Sequence, residues 1–202
     1  MVTDYSEASD HQLIADFKDG SMDAMDKIVE RYETRLFTFG RKMCGNIQDA
    51  EDIVQETFLS AFRYLNSFRE ETKLINWLFK IAARACMKKR RKKKCEPDGH
   101  LSLDSFYTEE GGNSTYEIPD WSNDPSDNVL RSELGQIIDK AMQSLPPNYR
   151  IIFNLRDIQG FNTEETSEIL DISIASVKTG LHRARLFMRD KISSLYKEAK
   201  IA

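Results

Sequence analysis

The sequence holds only three cysteines, Cys44, Cys86 and Cys95, in 202 residues. An odd number at spacings that match no disulfide framework excludes a disulfide-stapled secreted scaffold and fits thiols in a reducing compartment. No apolar run approaches the roughly 20 residues that cross a bilayer, and "MVTDYSEASDHQ" has neither the basic nor the apolar region of a signal peptide. The chain is therefore expected in the cytoplasm, without membrane insertion. It has no phosphate loop of the form GxxxxGK followed by Ser or Thr, no nucleophile and base pair, and no carboxylate cluster beyond ordinary helix acids. Cys86, Cys95 and His100 supply three ligands at a spacing foreign to zinc sites, so no metal and no cofactor is expected. These absences argue against an enzyme and leave no catalytic residue to name.

What is present is charge, unevenly distributed. The formal net charge is −4. Residues 1–95 carry 18 Lys and Arg against 15 Asp and Glu, residues 129–202 carry 11 against 9, and residues 96–128 carry none against 9. The acidic excess lies wholly in that middle stretch, which also holds three of the five prolines and the Gly111-Gly112 pair and has no helical or strand period. It reads as a flexible acidic linker between two mildly basic domains, residues 1–95 and 129–202.

The first flanking segment has the period of helices. "MDAMDKIVERYETRLFTFGRKMC" sets Met25, Ile28, Val29, Tyr32, Leu36, Phe39 and Met43 on one stripe. "NIQDAEDIVQETFLSAFRYL" opens on Asn46 as a cap and predicts a buried face of Ile47, Ala50, Val54, Phe58, Ala61, Phe62 and Leu65. Asp52, Gln55 and Glu56 are left together on another face, which either solvates or binds. After a break at "NSFREETK", the segment "LINWLFKIAARACMKKRRKKK" buries Leu74, Leu78, Ile81, Ala82 and Ala85 with Trp77 beside them. It then runs into seven consecutive cations, Lys88 to Lys94. So many like charges repel one another and exceed what a helix dipole needs, so a polyanion is the expected partner, nucleic acid before an anionic membrane surface.

In the second flanking segment, "NVLRSELGQIIDKAMQSL" is an amphipathic helix stopped by Pro146, and Pro147 opens the next, "NYRIIFNLRDIQG". "TEETSEIL", with Thr163 in the capping place, and "IASVKTGLHRARLFMRDKI", capped by Ser173, form a helix-turn-helix. Its second helix is expected to bury Ile174, Val177, Leu181, Ala184 and Met188 and to turn Ser176, Lys178, Thr179, His182, Arg183 and Arg185 outward. Short hydroxyls and Arg near the N-terminal half suit base edges in a DNA major groove. A helix-turn-helix regulator that works alone fits these features, as does a factor that works with a larger enzyme.

Four blocks, "DAEDIVQETFLSAFRYLNSF", "WLFKIAARACMKKRRKK", "LPPNYRIIFNLRDIQGF" and "SVKTGLHRARLFM", resemble regions 2 and 4 of the extracytoplasmic-function (ECF) sigma factors of bacterial RNA polymerase, group 4 of the sigma-70 family. The resemblance covers roughly residues 10–95 and 129–195. It implies an all-α fold of two small helical domains, a region 2 helical bundle and a region 4 helix-turn-helix, joined by the acidic linker. It implies promoter-specific initiation with core RNA polymerase, an anti-sigma factor as partner in the family's usual manner, and no catalysis by this chain. Asp52, Gln55 and Glu56 would bind the clamp helices of the largest polymerase subunit, while region 4 meets the flap of the second largest. Ser67, Phe68, Arg69, Trp77, Lys80, Arg84, Lys88, Lys89, Arg90 and Arg91 would contact the minus-10 strand, the loop from Ser67 to Ile75 cradling a flipped base. Ser176, Lys178, Thr179, His182 and Arg183 would contact the minus-35 duplex. The linker would thread toward the polymerase active site as a nucleic-acid mimic, or serve as a spacer.

Two positions depart from the family pattern. Gly180 stands where most members have Arg, which implies a cation missing from the groove face and weaker or altered minus-35 recognition. Arg84 stands where the family often has Asn, which leaves the flipped base unidentified.

Overall fold

A computed structural model describes the backbone of Tyr5 and of residues 7–94 and 126–201, and the side chains of Tyr5, 7–89 and 134–197. Cys95, His100, most of the acidic linker and the side chains of Arg90 and Arg91 lie outside the described residues. Every described element is helical. In chain order these are α1 (Asp10–Lys18), α2 (Met22–Cys44), α3 (Ile47–Tyr64), a 3-10 turn (Leu65–Ser67), α4 (Leu74–Lys94), α5 (Ser126–Ser144), α6 (Pro147–Phe153), a π turn (Asn154–Ile158), α7 (Thr163–Leu170) and α8 (Ile174–Ile201).

The first domain is α1 to α4. α2 has the bounds its periodicity predicts and ends at Gly45, whose left-handed backbone (φ 82°) lets its N–H reach the Arg41 carbonyl. α3 starts where Asn46 accepts the Asp49 N–H at 2.8 Å. α2 and α3 approach closely because a Cβ at Gly40 would lie 3.2 Å from Ala50 Cα. On α3 the buried face is Ala50, Ile53, Val54, Thr57, Phe58 and Ala61, whereas Ile47 and Phe62, expected inside, are exposed. Phe62 still lays its ring against the edge of Phe17 on α1. α1 is a helix that the sequence pattern does not predict; it is capped by Ser9 and buries Leu13, Ile14 and Phe17.

The second domain is α5 to α8. Pro147 takes the first turn of α6, and the helix relaxes into a π turn where the sequence predicts a single helix. Asn162, not Thr163, caps α7: it forms a capping box with Glu165, and Thr163 is the first helical residue. Asp171 ends α7 in left-handed geometry (φ 58°), and Ser173 accepts the Ser176 N–H at 3.1 Å to start α8.

The two domains pack against each other, which no local pattern in the sequence announces. α7 lies on α4, and α5 lies on α2. α4 is therefore buried on two sides: Phe79, Ala83 and Cys86 join the expected Leu74, Leu78, Ala82 and Ala85, while Ile81 is only half-buried. Phe79 meets Phe39 of its own domain at 5.3 Å and Phe161 of the other at 4.8 Å, both edge-on. The Arg35 guanidinium lies over both Phe79 and Phe161 and donates to the Gln159 carbonyl. Buried in the contact is Arg150, 3% exposed, which donates to the carbonyls of Met43 (2.9 Å), Leu145 (2.9 Å) and Gln143. Arg150→Met would leave these acceptors unpaired. It should lower unfolding free energy by about 3 kcal/mol in denaturant titration, and a change under about 1 kcal/mol would refute the role.

Candidate nucleic-acid interface

α8 presents the surface expected of it. Val177, Leu181, Ala184 and Met188 are buried, and Ser176, Lys178, Thr179, His182 and Arg183 are exposed along the opposite side. Ile174 is not inside: it is exposed at the helix start. Arg185 is outward but engaged, its guanidinium forking onto Asp157 of the π turn at 2.9 and 2.6 Å. Arg183 donates to the Tyr149 hydroxyl at 3.2 Å.

Gly180 corrects the expectation of a missing groove cation. It is on the buried side of α8, where a Cβ would come within 2.5 Å of Ile152 Cδ1 on α6. The obstacle is the free end of an isoleucine side chain, which can swing aside. Gly180→Ala should therefore change stability by less than about 1 kcal/mol, helix propensity offsetting the shifted methyl. Gly180→Arg should fail to tighten duplex binding, because its side chain enters the α6–α8 contact; tighter binding in a mobility-shift titration would contradict this placement.

In the first domain Asp52, Gln55 and Glu56 are exposed together on α3. They face α4. Lys88 Nζ stands 3.5 Å from Glu56, and Lys89 Nζ lies 2.6 Å from both Asp49 and Asp52. Burial opposes charge on Lys89, but the bonds to Asp49 and Asp52 outweigh it and hold the ammonium above the ordinary lysine value. Two residues expected at the polymerase and two expected at DNA thus pair with each other. Asp49 completes that pairing, a role that sequence reasoning does not assign to it.

The loop between the 3-10 turn and α4 is braced. Ser67 is exposed, with its hydroxyl on the Tyr64 carbonyl, and Arg69 is exposed. Phe68 is buried against the half-buried Trp77, ring centroids 4.9 Å apart, so it supports the loop instead of offering a free face. Lys18 of α1 donates to the Phe68 carbonyl at 2.8 Å. α7 covers the far side, with Lys73 2.7 Å from Glu165 and Asn76 Nδ2 3.1 Å from Glu168. Lys80 is half-buried and Arg84 exposed. Arg84 and Lys88 form one wall of a 1140 Å³ cleft whose other wall includes Ser176, Thr179 and Arg183, so both expected DNA surfaces face the same space.

The hydrogen bond from Lys73, with Asn162 N–H behind it, holds the Glu165 carboxyl below its usual range. A depressed carboxylate stabilises the packed form above its unfolded pKa and loses that contribution as pH falls through the folded value. Glu165→Gln keeps the cap but not the charge. By energy transfer between the two domains it should separate them more than the native chain near neutrality, with the difference vanishing in acid as pH falls through the depressed value of the folded carboxyl. A difference that persists in acid would refute the ion pair as the tie.

A two-domain helical factor with a helix-turn-helix and a second cationic surface is a transcription-factor class of molecule, and comparison with known proteins narrows it. Residues 28–95 match Sigma-70 region 2 and residues 135–188 match Sigma-70, region 4. ECF RNA polymerase sigma factor SigW of Bacillus subtilis (strain 168) is 34% identical over 183 residues, covering 90% of this chain and 96% of that one. The ECF RNA polymerase sigma-E factor of Escherichia coli (strain K12) is 28% identical over 192 residues, 93% and 96% of the two chains. In fold, the chain resembles CnrH in its complex with the cytosolic domain of CnrY, with TM-score 0.63 and 22% identity over 94% of this chain and 97% of that one. It also resembles the sigma factor RpoE of Bartonella quintana in its complex with the anti-sigma factor NepR, with TM-score 0.60 and 23% identity over 83% and 96%. The chain belongs to the ECF sigma factors of the sigma-70 family. It is a DNA-binding transcription initiation factor that directs promoter-specific initiation by RNA polymerase. Among the described residues, no helix is long and apolar enough to cross a membrane.

Proposed function

We propose that the chain is a group 4 sigma factor whose residues 1–95 and 129–202 read the melted minus-10 strand and the minus-35 duplex. The observation that carries this reading is the exposed row Ser176, Lys178, Thr179, His182 and Arg183 on the second helix of a helix-turn-helix. Asp52, Gln55 and Glu56 bind the clamp helices of polymerase, and Ser67, Arg69, Trp77, Lys80, Arg84 and the cations from Lys88 to Arg91 follow the minus-10 strand. Phe68 acts from beneath by holding the loop. The complexes of CnrH with CnrY and of RpoE with NepR support an inhibitory protein partner for this chain as well.

The packing of the domains bears on this reading. Elements about 25 base pairs apart are about 85 Å apart along a duplex at about 3.4 Å a step. A compact chain of this length has a radius of gyration of only about 16 Å, so the domains part before both elements are read. Engagement of Asp52 and Glu56 by polymerase also takes away the acid that holds Lys88 and one of the two that hold Lys89, Asp49 remaining, which makes those cations more available to DNA.

Neutralising Lys88 to Lys92 should weaken promoter binding by the holoenzyme and flatten its salt dependence by about 0.7 for each single-strand phosphate no longer neutralised, with polymerase affinity kept or raised because Asp52 and Glu56 lose their partners. Asp52→Asn should do the reverse: weaker polymerase binding, and tighter, more salt-sensitive binding of the free protein to DNA. An unaltered salt slope in the first variant would sink the reading of the cationic run.

A further inference from the structure

Beneath the braced loop is a cleft of 560 Å³ lined by Asp10, His11, Glu70, Thr72, Lys73 and Asn76, with Glu165 and Glu168 of α7 closing it. Its frame is built in advance of any ligand. Glu70 holds a left-handed backbone (φ 57°), uncommon outside glycine, and its carboxylate is tied to His11 Nδ1 at 2.5 Å and to Lys18 Nζ at 3.6 Å. Lys18 also holds the Phe68 carbonyl, so α1 fixes the loop at two points.

Asn76 stands at the bottom, on the first turn of α4, and is 4% exposed. Its amide nitrogen donates to Glu168 across the domain contact, while its Oδ1 has no hydrogen-bond partner. A buried acceptor left unpaired disfavours the closed form and calls for an explanation in function. When α7 withdraws, Glu168 and Glu165 leave with it, and Asn76 offers a complete carboxamide, one donor beside one acceptor, at the end of a pocket wide enough for a base. The wall that remains includes three carboxylate residues, Asp10, Glu70 and Glu71, and acceptors of that kind favour a ligand edge that carries an amine.

We propose that Asn76 is the specificity-determining residue of the minus-10 pocket and selects a flipped base with an exocyclic amine next to a ring acceptor, cytosine or adenine, over thymine. This inference rests on the reading of the loop as the base-capture site. In the closed form Glu168 occupies the Asn76 donor and so stands where the base would bind. Arg84, one face away on α4 and on the wall of the other cleft, then contacts backbone, and the base identity passes to Asn76.

The test uses holoenzyme and fork-junction DNA in which each unpaired minus-10 position carries each of the four bases. The native protein should prefer cytosine or adenine over thymine about tenfold or more at one position, and the size of the pocket in solution decides between the two. Asn76→Leu should abolish that preference there while sparing the other positions, minus-35 duplex binding and polymerase affinity. Asn76→Asp, which keeps an acceptor, should retain preference for an amine over thymine. Unchanged preference in Asn76→Leu overturns the assignment of Asn76 alone. A native protein with no base preference at any minus-10 position overturns the capture-loop reading as well. A Leu variant that loses duplex and polymerase binding together overturns the specificity role in favour of a structural one, unless Asn76→Asp restores both binding and preference.

Discussion

The Arg150 guanidinium and the chain ends it joins govern this arrangement. α2 and α5 both finish with carbonyls that have no intrahelical donor, and the ends carry the negative poles of two helix dipoles. Brought together in a dry contact they would repel. A fixed cation with a planar fork resolves this by donating to Met43 on one side and to Gln143 and Leu145 on the other. Gln143 adds a bond from its own amide to the Lys42 carbonyl at 2.9 Å. Once these ends are joined, α6 and the π turn lie against α2, Asn154 reaches the Phe39 carbonyl, and α7 comes down on α4. The cover that α7 makes over the loop before α4 is thus tied to a bond network far from it as well as to its own contacts through Lys73, Asn76 and Phe79.

The surface charges obey a second constraint. Lys88 and Lys89, proposed to meet a DNA strand, are each held by a carboxylate of the same domain, and Lys73 beside the loop is held by Glu165 of the other. The exposed pair of Lys88 with Glu56 is individually weak, which suits it to be exchanged, while Lys89 beside the half-buried Asp49 is held more firmly. A polyanion or the polymerase replaces such partners at little cost, whereas the apolar contact of Phe79 with Phe161 does not dissolve for a charge. The electrostatics therefore set which ligand is admitted, and the packing sets how much binding is needed to admit it.

How much of this was legible in the sequence depends on whether a residue answers to its own helix or to a distant one. The stripes of α2 and α8 are local, and Met25 to Met43 and Val177 to Met188 lie where the 3.6 period puts them. Asn46 and Ser173 cap as their positions suggest. Asn162 displaces Thr163 because the capping box needs its acid at the third helical position, and Glu165 stands at that distance from Asn162 but one residue too near to Thr163. Phe79, Asn76 and Ala83 have no inner face in the sequence pattern, since one helix is expected to have one buried side and α7 supplies the second. Lys18 and Phe68 are 50 residues apart, and no local pattern announces their bond. Gly180 shows the same limit from the other direction: a resemblance matches residue types along the chain, and the direction in which a side chain points comes only from the packing of α8 on α6.

Because Asn76, proposed to read a base, is engaged by Glu168 in the closed packing, closure and reading at that residue are linked equilibria. Glu168 on Asn76 and a base on Asn76 exclude one another, so the free energy by which packing disfavours DNA equals that by which DNA disfavours packing. A partner that favours the packed form acts on this balance without touching a DNA contact. In the packed form the second domain, joined to the first through Arg150, lies over Asn76 and Lys73.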